Sequence, residues 1–183
     1  MKERPVLFNT AMVQAVLEDR KFHTRRVIKP QPDEDGLVKE MSTGKYYDTS
    51  CREYKCPYGK KDDLLWVRET LKVYDDWNII YKADIMSYLD YPNMLWKPSI
   101  FMPKKYARIW LKIKDIRVEW IQDITEEDAL SEGIPIASIN KSPVQEFQYL
   151  WDSINGKPRK NGVDISWEAN PYVWVVEFER IIK

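Results

Sequence analysis

Between Asp19 and Arg26 the chain reads Asp-Arg-Lys-Phe-His-Thr-Arg-Arg, its densest run of polar and titratable side chains. A lysine, a hydroxyl and three arginines in so short a span admit two readings. One is a solvated basic turn. The other is a site in which Lys21 and Thr24 are directed at a cleft while arginine binds a phosphate or a base edge, because the planar guanidinium donors match such acceptors. In an extended segment Thr24 and Arg26 share a face and Arg25 points away. His23, the sole histidine, titrates near neutral pH and can serve as acid or base. Its place in a basic run favours a solvent-exposed side chain.

Other side chains invite the same question. In Leu64–Glu69 the period of two puts Trp66 and Arg68 on one face, and Leu65, Val67 and Glu69 on the other. Trp66 is either core or a platform on which a base stacks; Arg68 and Glu69 either line a mouth or pair with neighbours. Trp77 and Trp96 fall in loops, where a large ring is least needed for a core, so they are candidates for a cleft wall. Cys51 and Cys56 are the only cysteines. A zinc site needs about four ligands and the second pair is missing, so no metal is expected; the thiols read as reduced residues of a cytoplasmic protein, with a disulfide between them as the alternative.

The elements that must position these groups are marked by local signals. Arg4–Phe8 reads as a short strand. Asn9 or Thr10 caps a helix over Ala11–Arg20, with Met12, Val13, Val16 and Leu17 on one face. Thr24–Ile28 starts another strand. From Lys29 to Lys61 prolines and glycines interrupt every pattern, predicting a long irregular insertion of the kind that is usually functional. Leu64–Glu69 and Asn78–Ala83 read as strands, and Tyr88–Pro103 as a loop. Tyr106–Ile121 alternates apolar and polar residues, with the phase changing at Asp115 as at a turn or bulge. Thr125 followed by three acids starts a helix that Gly133 stops. Ser142-Pro143-Val144-Gln145 is a capping box for a helix ended by Gly156. Tyr172–Ile182 is a nearly all-apolar central strand. Five or six strands with three short helices predict a single α+β domain over residues 1–183, a small mixed β-barrel flanked by helices.

Composition narrows the partners. The 29 basic and 29 acidic residues cancel, which argues against extended nonspecific duplex binding and leaves room for a local basic patch. Aromatics at 13% supply core rings and, in part, a stacking surface. No apolar run of about 18 residues marks a membrane span, and the N-terminal stretch does not read as a signal peptide.

Three stretches carry a family resemblance. Lys21, Thr24 and Arg26 match the Gly-x-Lys-x-x-Thr-x-Arg signature of ASCH domains, with Asp19 in place of the glycine. Lys61-Asp62-Asp63-Leu64-Leu65-Trp66-Val67 resembles the family's Gly-Asp-x-Leu-x-Val strand entry, with Asp62 in place of glycine. Thr125–Gly133 resembles its Thr-Glu-Glu-Asp-Ala-x-x-Glu-Gly helix. The phrases at Cys56–Gly59, Leu65–Glu69, Trp151–Gly156 and Asn170–Phe178 are similar to those of phage and prophage ASCH-like proteins. The resemblance implies a PUA-like barrel that holds RNA, a nucleotide or a modified nucleoside, with no cofactor. Some members are amidohydrolases of acetylcytidine and others ribonucleases. By motif position the Lys, Thr and Glu of the amidohydrolases fall on Lys21, Thr24 and Glu132, with Arg26 beside them. A neutral Lys21 would take a proton from Thr24 or water, and Glu132 would orient it; otherwise Glu132 is a surface carboxylate paired with Lys21. A third expectation is a phage-derived factor that binds a host protein.

Overall fold

A computed structural model describes residues 1–33, 35–75, 78–85, 94–135, 141–156 and 163–182. In chain order these contain β1 (Glu3–Leu7), α1 (Thr10–Leu17), β2 (His23–Val27), β3 (Val38–Lys39), β4 (Tyr46–Tyr47), β5 (Glu53–Tyr54), β6 (Leu64–Arg68), β7 (Leu71–Val73), β8 (Ile79–Tyr81), β9 (Trp110–Trp120), α2 (Glu126–Ser131), α3 (Pro143–Asn155) and β10 (Tyr172–Ile181). Five strands form the main sheet in the order β1-β6-β9-β10-β2. The β1/β6 pair is parallel; β6/β9, β9/β10 and β10/β2 are antiparallel.

β10 is central because its residues are apolar on both faces. Trp174, Val176 and Phe178 join Leu65, Val67, Leu111, Ile113, Val13 and Val16 in the main core. Val173 and Val175, on the other face, pack with Ile124, Ala129, Phe147 and Trp151 beneath α2 and α3. β9 must change phase to serve this core, and it does so by an irregularity opposite Glu177/Phe178: Glu177 pairs with Asp115 and Phe178 with Ile113, skipping Lys114. This is where the sequence pattern shifts.

The expected α+β class and the five strands with short helices are present, but the barrel is not closed. Among the described residues no ladder joins the edge strands β1 and β2. The edges nonetheless approach, since Arg26 Nη2 donates to Leu7 O at 2.7 Å. The result is a barrel with one open seam, spanned in the chain by α1. The segment read as wholly irregular contains a small three-stranded sheet, β3-β4-β5; two-residue strands are too short to show a period. The strand placed at Asn78–Ala83 shortens to β8 and pairs with β7 in a separate ribbon. α1 ends earlier than expected because Asp19 adopts φ +51°.

Candidate functional site at the open seam

Lys21 leaves α1 by a tight exit, its own N–H and that of Arg20 both donating to Ala15 O. It meets the far end of α2, where Phe22 N–H donates to Ser131 O and Lys21 and Glu132 form a bridge. This close approach requires glycine next: Gly133 has φ +88°, and a Cβ there would lie 2.7 Å from Ala15 Cβ and 3.1 Å from Lys21 Cβ. Lys21 Nζ then donates to Glu132 Oε2 at 2.7 Å and to Glu132 O at 2.8 Å. Both residues are buried, at 2% and 5% exposure, so Glu132 is not a surface carboxylate. Burial pushes the Lys21 amine below its ordinary range; Glu132 opposes this, and Arg26 and Arg25 reinforce it.

Arg25 does point away from Thr24 and Arg26, but onto α2 and not into solvent. It is buried and donates to Asp128 at 2.8 Å, Glu119 at 3.1 Å and Glu132 Oε1 at 3.4 Å. The signal that could have found this role is the spacing of Asp128 and Glu132, one helical turn apart and so on one face. His23 lies between Asp128 (3.2 Å) and Glu177 (3.9 Å) with a side chain only 16% exposed, which corrects the expected solvated side chain. Burial and then Arg117 hold its imidazole below the usual histidine value.

Thr24 is buried on the opposite face of β2. Thr24, Arg25, Arg26, Val27 and Glu132 border a cavity of about 80 Å³ whose other walls are Met12 and the α3 residues Phe147, Leu150, Trp151, Ile154 and Asn155. Met12, Glu132 and Leu150 also border a neighbouring pocket of about 270 Å³. β2 faces this cavity as an edge strand. Its even-numbered residues bond to β10, as Ile28 N–H to Tyr172 O and Phe22 O from Phe178 N–H show. Antiparallel geometry therefore turns the N–H and C=O groups of Arg25 and Val27 toward the seam.

The structure thus brings Lys21 and Glu132 into contact and sets Glu132, Thr24 and Arg26 on one cavity, with Lys21 behind Glu132 and outside its lining. It does not bring the other expected ligand-binding residues there. Trp66 is buried beneath Arg68, and Arg68 donates to Ile100 O. Glu69, 1% exposed, accepts two bonds from Arg108 at 2.9 and 2.8 Å, and Arg108 also reaches Asp84 and stacks on Tyr81. Trp96 sits under Lys82, and Trp77 lies outside the described residues. None of Trp66, Arg68, Glu69 or Trp96 borders either pocket beside Glu132.

No protein-family model and no curated protein sequence matches this chain. Among solved structures, the ASCH domain from Lactobacillus crispatus JV V101 superposes with a TM-score of 0.51 at 11% identity, covering 100% of this chain and 81% of that one. The chain has the fold of an ASCH domain. A protein from Enterococcus faecalis V583 aligns at a TM-score of 0.47 and 10% identity, over the same shares of each chain.

Two departures from the ASCH sequence pattern now have a physical account. Asp19 and Asp62, which stand where ASCH signatures carry glycine, both adopt the left-handed backbone, at φ +51° and +70°. The turn is kept and the residue tolerates it, as aspartate does more readily than most. In this ASCH fold Cys51 and Cys56 form no disulfide, and burial pushes the Cys56 thiol up to about 11. Among the described residues no cluster of His, Cys, Asp and Glu could hold a metal ion, and no helix is long and apolar enough to cross a membrane.

Proposed function

We propose that the seam of this ASCH fold binds a nucleic-acid component, a nucleotide or modified nucleoside, with a small polar end inserted beside Thr24 and Glu132. The observation that carries this is the buried Glu132 carboxylate at the wall of the cavity, held from behind by Lys21 and next to the outward amide and carbonyl groups of Arg25 and Val27. Pockets for whole organic ligands run to about 300–1,000 Å³, so the cavity of about 80 Å³ suits a group of a few atoms, such as an exocyclic amine or its acyl substituent. The larger part of the ligand then lies over Met12 and Leu150 in the adjoining pocket. The phrases shared with phage and prophage ASCH-like proteins support a cytoplasmic member of that group.

The lowered basicity of Lys21 favours a second reading, amide hydrolysis. A neutral amine can donate its two hydrogens to Glu132 Oε2 and O, the bonds present here, and keep a lone pair for a proton. Water would add to the acyl carbon and lose a proton to Lys21 by way of Glu132, the member of the pair that borders the cavity; the proton would return by the same route to the leaving nitrogen, and the C–N bond would break to give a carboxylic acid and the free amine. Calorimetric titration with cytidine and acetylcytidine, alongside product chromatography, tests both readings. Binding weakened at least about tenfold by Thr24→Val and Glu132→Gln supports the site, and release of cytidine that Lys21→Met abolishes supports hydrolysis. No heat with either nucleoside at about 1 mM would reject both.

A further inference from the structure

The chain as a whole is neutral, yet its basic residues are not evenly spread. The segment from Lys29 to Lys61 folds β3, β4 and β5 against Trp174 and the end of β2, and leaves a groove on either side of β5. One half, about 550 Å³, is bordered by Lys29, Arg52, Lys55 and Tyr58; the other, about 510 Å³, continues past Tyr54 and Trp174. Seven lysines and arginines line the two halves against two acids, Glu53 and Asp115. Glu53 is shared by Lys45 at 3.3 Å and Lys55 at 3.5 Å. Among the described residues Lys29, Lys60 and Lys61 have no ion-pair partner. All seven cations are exposed. Two rings lie among them: Arg52 lies over Tyr54 at 5.8 Å, and the half-buried Tyr58 borders the groove with Arg26, a cation outside the seven, 6.0 Å away.

We infer that this groove is a second binding site, for a stretch of single-stranded nucleic acid, with its phosphates on Lys29, Arg52 and Lys55 and a base stacked on Tyr58. Charge concentrated against the neutrality of the molecule gives a local field for a polyanion. Cations that track a backbone, with aromatic faces between them, are the chemistry of sequence-tolerant single-strand binding. The volume of each half accepts a nucleotide unit, which the small cavity at Glu132 does not. The inference stands on the charge and shape of this groove and is independent of the chemistry at Glu132. The two sites are neighbours nonetheless, since Val27 borders both.

Fluorescence anisotropy of labelled 12-nucleotide oligouridylate and oligothymidylate against the full chain tests it. Binding at about 50 mM salt is expected, weakening as salt rises. The triple variant K29E/R52E/K55E should lose at least about tenfold in affinity and flatten the log–log salt slope by about 2, as three lost phosphate contacts require. Tyr58→Ala should lose about three- to tenfold for both oligomers. K72E/K97E/K104E, the same charge change on another face, should shift affinity less than about threefold. K29Q/R52Q/K55Q replaces the charge-reversed triple if thermal melts show that the latter does not fold. The inference is overturned by absence of binding at low salt, by equal losses in both charge-reversed triples, or by polyglutamate of matched length competing as well as unlabelled oligonucleotide. That last outcome would assign the groove to an acidic polypeptide.

Discussion

At the scale of single residues, Lys21 and Glu132 set the character of the site. An exposed pair of this kind contributes under about 1 kcal/mol. A buried one loses several kcal/mol of solvation per ion, offset only when contact geometry and extra hydrogen bonds are good. Here Glu132 accepts from both Lys21 and Arg25, so neutralising it strands the Arg25 guanidinium, which cannot shed its proton, and leaves the Lys21 amine without its carboxylate. Glu132→Gln is therefore expected to cost about 3 kcal/mol in urea unfolding. Lys21→Met should cost less, because a thioether chain fills the same space and Arg25 still serves Glu132. The double variant should fall short of the sum by about 2 kcal/mol. A Glu132→Gln variant as stable as the parent would show that the pair is not what holds α2 to the β2 edge.

At the scale of elements, turns decide which groups meet. α1 must stop and reverse within three residues so that Lys21 enters the seam, and Asp19 makes that turn with φ +51°. Any side chain there is strained relative to glycine, by roughly 1 kcal/mol where an aspartate softens the penalty. The Asp19–Arg180 contact at 3.1 Å involves two largely exposed side chains, so its loss matters little. Asp19→Gly is expected to stabilise the protein by about 0.5–1 kcal/mol, a rise in Tm of about 2 °C, and Asp19→Ala to lower it. Scanning calorimetry decides; a lower Tm for Asp19→Gly would mean that the Arg180 pair or the chain entropy of glycine outweighs the strain. The opposite side of the same junction is Gly133, whose missing Cβ lets α2 dock on Ala15 and Lys21.

At the scale of the molecule, the second face of the sheet carries a belt of coupled charges. Arg25, Arg117, Glu119, Asp128, Glu132, Glu177 and His23 all face one another between β2, β9, β10 and α2. Burial acts to raise the Asp128 carboxyl, but Arg25, Arg117 and His23 outweigh it and hold it below its ordinary 3.8. The His23 imidazole lies below its ordinary 6.5, through burial and Arg117. Both folded-state values are depressed, so beneath each ordinary value the unfolded chain binds more protons and stability falls as pH falls. The urea midpoint should drop in two steps, one beginning near pH 6.5 and one near pH 4. His23→Gln should remove the upper step and leave the lower. An unchanged decline between about pH 7 and pH 5 in that variant would exclude His23 as its source.

Local chemistry settled the parts of this protein. Caps at Asn9, Thr125 and Ser142, the stop at Gly133, the phase change in β9 and the two-faced apolar run of β10 depend on neighbours within a turn or a pleat, and such periods are written along the chain. The Lys21 and Thr24 positions were legible for the same reason, as a dense motif. Tertiary contact decided the rest. The Lys21–Glu132 bond joins residues 111 apart, the burial of Arg25 depends on where α2 lands, and the open seam depends on which two strands are left at the edges. Trp66 and Glu69 stood in an equally suggestive pattern, yet packing gave one to the interior and the other to Arg108. A side chain's role turns on the solvent and charges it meets after folding, and those come from segments whose distance along the chain leaves no periodic trace.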